Sequence, residues 1–209
     1  AALQARAAGA HATVHAVDLA DDAAVQAMLH AVVSAHGVPG CIVYAAGPLV
    51  PQVHLSRTRP EQMRDHLIQD TLGFFHLVHA AIPLLRQGRG SLVACMSAAQ
   101  FRYAPADGLS VVPKAGVMAL MLGVAREEGR HGIRANGVAI GLIEAGQRQE
   151  LERLGQIDAA YLAAAASATP LRRAGRAEDV GEAVAFLADP DRAGFVTGTV
   201  IRVDGGYSV

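Results

Sequence analysis

The chain has 209 residues, a formal net charge of −1 and a hydrophobic fraction of 52%. That length suits one domain with a single core, and a near-neutral chain without a long basic stretch excludes a nucleic-acid binder. No run reaches the roughly 18 uninterrupted apolar residues of a membrane span; the nearest, Val111 to Ala125, is broken by Lys114, Pro113, Gly116 and Gly123.

Residues 1–10 are Ala-rich and helix-prone. Thr13 to Val17 is a short β-branched run, read as a strand that ends in Asp18. Asp21 can cap a helix over about 23–35, where Val25, Met28, Leu29 and Val32 recur at helical spacing. Gly37, Pro39 and Gly40 stop it, and Cys41 to Ala45 is a continuous apolar strand opening on Gly47. Residues 48–59 read as a loop, and one long helix is expected over 61–86. A Gly88-Arg89-Gly90 turn leads into the strand Ser91 to Met96. Pro113 is expected to open a helix to about Glu128, since proline is tolerated in a first helical turn. Ile133 to Ala139 reads as a strand, 147–170 as an Ala-rich insertion, 179–187 as a helix and Thr199 to Val203 as a last strand. Strands and helices alternate, and the strands are apolar on both faces. That pattern predicts a single-domain, doubly wound α/β fold, a parallel sheet covered by helices on both sides. Cys41 and Cys95 lie in separate apolar runs and read as reduced, buried thiols.

Several short motifs in sequence resemble the short-chain dehydrogenase/reductase family across nearly the whole chain. Asp18-Leu19 is similar to the pair that holds the adenine ring there. Tyr44-Ala45-Ala46-Gly47 stands at the family's Asn-Asn-Ala-Gly turn, Ile133 to Val138 at the strand after the catalytic helix, and Ile140-Gly141 at its Pro-Gly position. Thr197-Gly198 and Asp204-Gly205-Gly206 resemble its C-terminal signature. The resemblance implies a Rossmann-like fold binding NAD or NADP. Asp18, Leu19, Ala45, Ala46, Gly47, Lys114, Gly141 and Ile143 are the cofactor-binding candidates. Small residues at a sheet's carboxyl edge let a ligand approach the main chain. The family opens with a strand, a glycine-rich turn and a helix N-terminus that receives the pyrophosphate. No such turn precedes Asp18, so roughly one βαβ unit is expected to be missing here.

In this family a Ser, a Tyr, a Lys and an Asn act together. The resemblance assigns Ser97 to the serine and Lys114 to the lysine, while Ser110 stands at the tyrosine position and Asp70 at the asparagine position. Ala145 replaces a threonine that usually touches the carboxamide. An aliphatic hydroxyl is a far weaker acid than a phenol and reaches less far. Tyr103 is the one tyrosine between Ser97 and Lys114 and is an alternative proton donor. Ser110 and Lys114, four apart, could form a nucleophile–base pair, or Ser110 could simply cap its helix. Asp70 could face a bound water or pair with Lys114. His76 and His79 lack a third ligand, and no metal motif is present.

Three functions follow as expectations. One is an NAD(P)-dependent oxidoreductase of reduced or altered activity on a small carbonyl or alcohol. A second is a non-catalytic subunit paired with an active reductase, and a third is non-redox chemistry in the same pocket. The resemblance also implies a dimer or tetramer, homomeric or with an active relative. It would form through helices 61–86 and 113–128, the second presenting Val117, Leu120, Met121, Val124 and Ala125. Gly116, Ala119 and Gly123 would let the helices approach closely. No nucleic acid or membrane partner is expected, and with no signal peptide the expected location is cytoplasmic.

Overall fold

A computed structural model describes residues 9–209; the helix expected over 1–10 lies almost wholly outside the described residues. Four strands form one parallel sheet in chain order: β1 (Cys41–Tyr44), β2 (Ser91–Ser97), β3 (Arg134–Ile140) and β4 (Val200–Val203). The helices that concern the site are α1 (Asp22–His36), α2 (Pro60–His66), α3 (Gly73–Gly88), α4 (Gly108–Glu128), α5 (Gln147–Arg153), α6 (Ala159–Ser167) and α7 (Ala177–Ala188).

Alternation along the strands sorts the core into two layers, because successive side chains point to opposite faces. Leu92, Ala94 and Met96 of β2 pack with Val25, Phe74, Val78, Val117 and Met121 of α1, α3 and α4. Val93 and Val138 face the other way, against Leu187 with Val180 and Val184 of α7. Burial on both faces explains why the middle of β2 is apolar on both sides and confirms the doubly wound parallel arrangement, with Arg134 and Asn136 of β3 buried but hydrogen-bonded to backbone carbonyls. Asp21 caps α1 as expected, accepting from the Ala24 N–H at 3.1 Å.

Five expectations need correction. Thr13 to Val17 is no strand; its residues are largely exposed, and no strand among the described residues offers a pairing partner. β1 lies beside β2 and parallel to it, but at the sheet's edge among the described residues rather than its centre. The long helix of 61–86 is α2 and α3 joined by a π-helical turn, Leu67–Leu72. Helix α4 starts at Gly108, five residues before Pro113, so Ser110 lies in its first turn and Asp107 takes the cap position. Finally, Val117, Met121 and Val124 are not presented outward but buried at 0–6% exposure against the sheet. By length and composition alone the segment Gly108–His131 could cross a membrane, as the apolar core helix of a folded domain can; here that apolarity packs α4 on β2 and β3.

Candidate active site

The carboxyl ends of β1 and β2 and the first turns of α4 meet where ligands bind in open α/β sheets. Lys114 is central. Its Nζ donates to the Ala46 carbonyl at 2.8 Å and to Asp70 Oδ1 at 2.9 Å. Asp70 is buried, with 4% of its side chain exposed, and Lys114 is partly buried, with 13% exposed. Asp70 reaches the lysine because it sits in the π turn, a widened turn of the kind often found at functional sites. The Thr71 hydroxyl donates to the Pro113 carbonyl at 2.9 Å and fixes that turn against α4. Gly116 permits the close approach: a Cβ there would stand 2.5 Å from Thr71 Cγ2. Its smallness therefore serves packing within the chain.

Tyr44 completes the network, and sequence reasoning gave it no role of its own. Its hydroxyl donates to Asp70 Oδ1 at 2.6 Å, its ring packs on Phe74, and Lys114 Nζ lies 4.8 Å from its ring centroid. Burial, reinforced by the neighbouring Asp70 carboxylate, pushes the Tyr44 phenol well above its ordinary range. It is therefore a structural hydrogen-bond donor and not an acid for catalysis. The signal was an aromatic residue standing where the family turn has asparagine.

The remaining candidates divide. Ala45, Ala46 and Gly47 are exposed just past β1, and a Cβ on Gly47 would stand 3.4 Å from Lys114 Nζ and 3.7 Å from Asp70 Oδ2. Ser97 ends β2, its Oγ accepting from the Ala99 N–H at 3.1 Å. Two residues earlier burial raises the Cys95 thiol, with the Lys114 charge opposing that shift. Ser110 lies one turn before Lys114 on the same face of α4. Leu19, Ala45 and Ala46 line a cleft of about 340 Å³ between α1 and β1; Asp18, Gly47, Lys114 and Ile143 are not among its walls. Asp18 is exposed and accepts from the Ala20 N–H at 2.9 Å. Gly141 abuts the C-terminal turn, where an added Cβ would stand 2.7 Å from Asp204 Cα. Ile143 bridges to Gly175 at the entry to the 147–170 segment. Tyr103 is half exposed, its hydroxyl packed toward Gly108.

A parallel sheet with Ser97 and Lys114 at its carboxyl end has the form of an open α/β protein with its ligand site at that edge. Residues 1–208 match the family described as Enoyl-(Acyl carrier protein) reductase. A short-chain type dehydrogenase/reductase of Sinorhizobium fredii is 34% identical over 206 residues, 96% of this chain and 78% of that protein. The 3-oxoacyl-(acyl-carrier-protein) reductase of Staphylococcus aureus is 34% identical over 197 residues, covering 90% and 74%. The solved structure of ElxO with NADP bound superposes with a TM-score of 0.84 at 26% identity, covering 93% and 77%. The chain belongs to the short-chain dehydrogenase/reductase family.

Proposed function

We propose that the chain reduces a carbonyl group, or oxidises the matching alcohol, with NAD or NADP, and does so slowly because its proton-transfer group is not the usual phenol. The carrying observation is the convergence of Lys114 with the bare Ala46–Gly47 backbone at the end of β1. A nicotinamide dinucleotide fits here at its nicotinamide–ribose end: exposed small residues leave the backbone open, and Lys114 offers a donor beside them. Among the described residues no glycine-rich turn ahead of a helix N-terminus would hold the pyrophosphate. When bound, the dinucleotide supplies reversible hydride transfer to a carbonyl carbon. Ser97 would orient the substrate oxygen. Lys114 would donate to ribose hydroxyls, in competition with Asp70. The cofactor-bound ElxO structure and the reductase named among the relatives support this reading.

The test is calorimetric titration with NADH and NADPH, followed by dinucleotide oxidation with a panel of small ketones. Ketone-dependent oxidation that is lost in Lys114→Ala and Ser97→Ala is expected. Absence of both binding and turnover would refute the reading.

One observation favours a second reading, a supporting subunit. Leu67, Ile68, Leu72 and Phe75 stand 37–45% exposed. They line a groove of about 770 Å³ with Met63 and Leu120. Contiguous apolar surface of this kind marks an association face. A second copy, or an active relative, would cover it.

A further inference from the structure

Beyond β3 the chain makes a closed excursion on a pinned base. Ile143 bridges to Gly175; the Glu144 N–H donates to the Gly175 carbonyl at 2.8 Å, and the Gly175 N–H to the Leu142 carbonyl at 2.9 Å. Residues 144–174, with α5 and α6, lie between these two points. The first bend is Gly146, at φ 63° and ψ −127°, a conformation open to glycine and few other residues. Gln147 follows directly. Its Oε1 accepts the Val50 N–H at 3.1 Å and its Nε2 donates to the Pro48 carbonyl at 3.0 Å, across 97 and 99 residues of sequence. A carboxamide carries the donor and the acceptor of a peptide group, so this side chain brackets Leu49 as a parallel strand neighbour would.

The loop that Gln147 grips is fixed from other sides as well. His66 Nε2 meets the Leu49 carbonyl at 3.3 Å, the Ala106 carbonyl accepts the Val53 N–H at 3.0 Å, and Val50 is buried. The excursion is held far less. Leu151 alone is buried on α5. The other side-chain bonds of that helix stay inside the excursion: Arg148 with Glu144 and Glu152, Gln149 with the Glu144 carbonyl, and Arg153 with Glu150. Among the described residues, Gln147 is the polar side chain of α5 that reaches the body of the fold.

The strands lie in the order β1–β2–β3 and run parallel. A segment that starts beyond β3 and fastens to the loop beyond β1 therefore crosses the end of β2, a span of two strand spacings or about 10 Å. Ser97 ends β2, level with Ile140 of β3. Resting on the reductase reading, we propose that Gln147 is a positioning residue: its carboxamide fastens the excursion across the end of β2, closes it over Ser97 while substrate is bound, and releases it for substrate to enter or leave. Gln147 is itself exposed. Water competes for exposed hydrogen bonds, so their net contribution is small, and the fastened and released forms lie near balance. That suits a catch; two buried bonds would make a fixed joint. Substrate binds the fastened form, so its KM varies inversely with the fastened fraction.

The experiment compares wild type, Gln147→Met and Gln147→Glu in the full chain. Methionine keeps the bulk of the side chain and removes both bonds; glutamate keeps the acceptor for Val50 and loses the donor to Pro48. Two readouts need no turnover. Hydrogen exchange follows the Val50 amide, with the β2 and β3 amides as the control for an intact fold. Alkylation by iodoacetamide, read by mass spectrometry at position 97, follows access to that site in a Ser97→Cys background. Gln147→Met should speed both about fivefold with the β2 and β3 amides unchanged, and Gln147→Glu should fall between. In the Ser97 background, Gln147→Met should raise the KM for a ketone about threefold and change kcat less than about twofold. Alkylation at position 97 that ignores Gln147→Met overturns the proposal. So does faster Val50 exchange with KM unchanged, since Gln147 would then only trim its loop. If wild type turns over no ketone, the reductase reading falls, and exchange with alkylation still decides whether Gln147 fastens the excursion over position 97.

Discussion

Removing the Asp70 side chain tests whether the Tyr44–Asp70–Lys114 network holds this site together. In Asp70→Ala the Lys114 ammonium keeps the Ala46 carbonyl, and the Tyr44 hydroxyl keeps the Asp70 carbonyl at 3.1 Å, but both lose the carboxylate. Two unit charges 2.9 Å apart attract by about 6 kcal/mol at an effective dielectric constant of about 20. Desolvation offsets most of that while the pair is intact. Removing Asp70 leaves Lys114 partly buried and still donating to the Ala46 carbonyl, so the cost stays below the roughly 3–5 kcal/mol of a fully buried, uncompensated charge. The expected loss on urea unfolding at pH 7 is therefore about 1–3 kcal/mol. Asp70→Asn, which keeps one acceptor for Tyr44 or Lys114, should lose roughly half as much. The cycle completed by Lys114→Met should show coupling of about 1–3 kcal/mol, because the double variant buries no lone charge. A loss below about 1 kcal/mol for Asp70→Ala, with no coupling to Lys114, would falsify the claim that this pair is a stabilising element.

The Ser110→Tyr substitution should raise ketone reduction about tenfold or more, toward the roughly 10²–10⁴ that a good general acid contributes. Combining it with Asp70→Asn should raise it further by freeing Lys114; equal rates in wild type and both variants would count against the family assignment of position 110. Arg86 donates twice to the buried Glu128, at 2.7 Å each, and holds that carboxyl below its ordinary range. Its stabilising contribution is thus present above about pH 4.3 and lost as pH falls through the lowered value. In Arg86→Met the stability-versus-pH slope in that window should shrink or reverse, as read by thermal melts from pH 3 to 6. Glutamate at both Leu72 and Phe75 should halve the sedimenting mass if a second copy covers the groove; an unchanged mass places the association face elsewhere.

The strands were the most legible part of the chain, since burial on both faces leaves β2 an apolar run between its two serines, while β3 buries Arg134 and Asn136 among small and apolar residues. Thr13 to Val17 misled for a physical reason: β propensity describes fit to a pleated, half-buried surface, and among the described residues no strand pairs with this run. The start of α4 was misplaced because Pro113 fits a first helical turn, yet a proline also survives deeper inside a helix. The Asp70–Lys114 pairing was among the sequence-based alternatives, because a mid-helix acid across from a lysine has few other uses. Tyr44 was not legible. Its partner lies 26 residues away, and no local pattern records such a contact. The α4 residues thought to face outward were chosen by apolarity, which names a buried stripe and a docking stripe alike.

The π turn gives one short segment two jobs. A π turn carries one residue more than the regular helix around it, and each residue advances a helix by about 100°. The register so inserted aims Asp70 inward at Lys114 while leaving Leu67, Ile68 and Leu72 on the outer groove. Deleting a single residue here would rewind the turn and swing one of those two faces by about a quarter of a circle. The grip on Lys114 and the shape of the outer groove are therefore mechanically geared together.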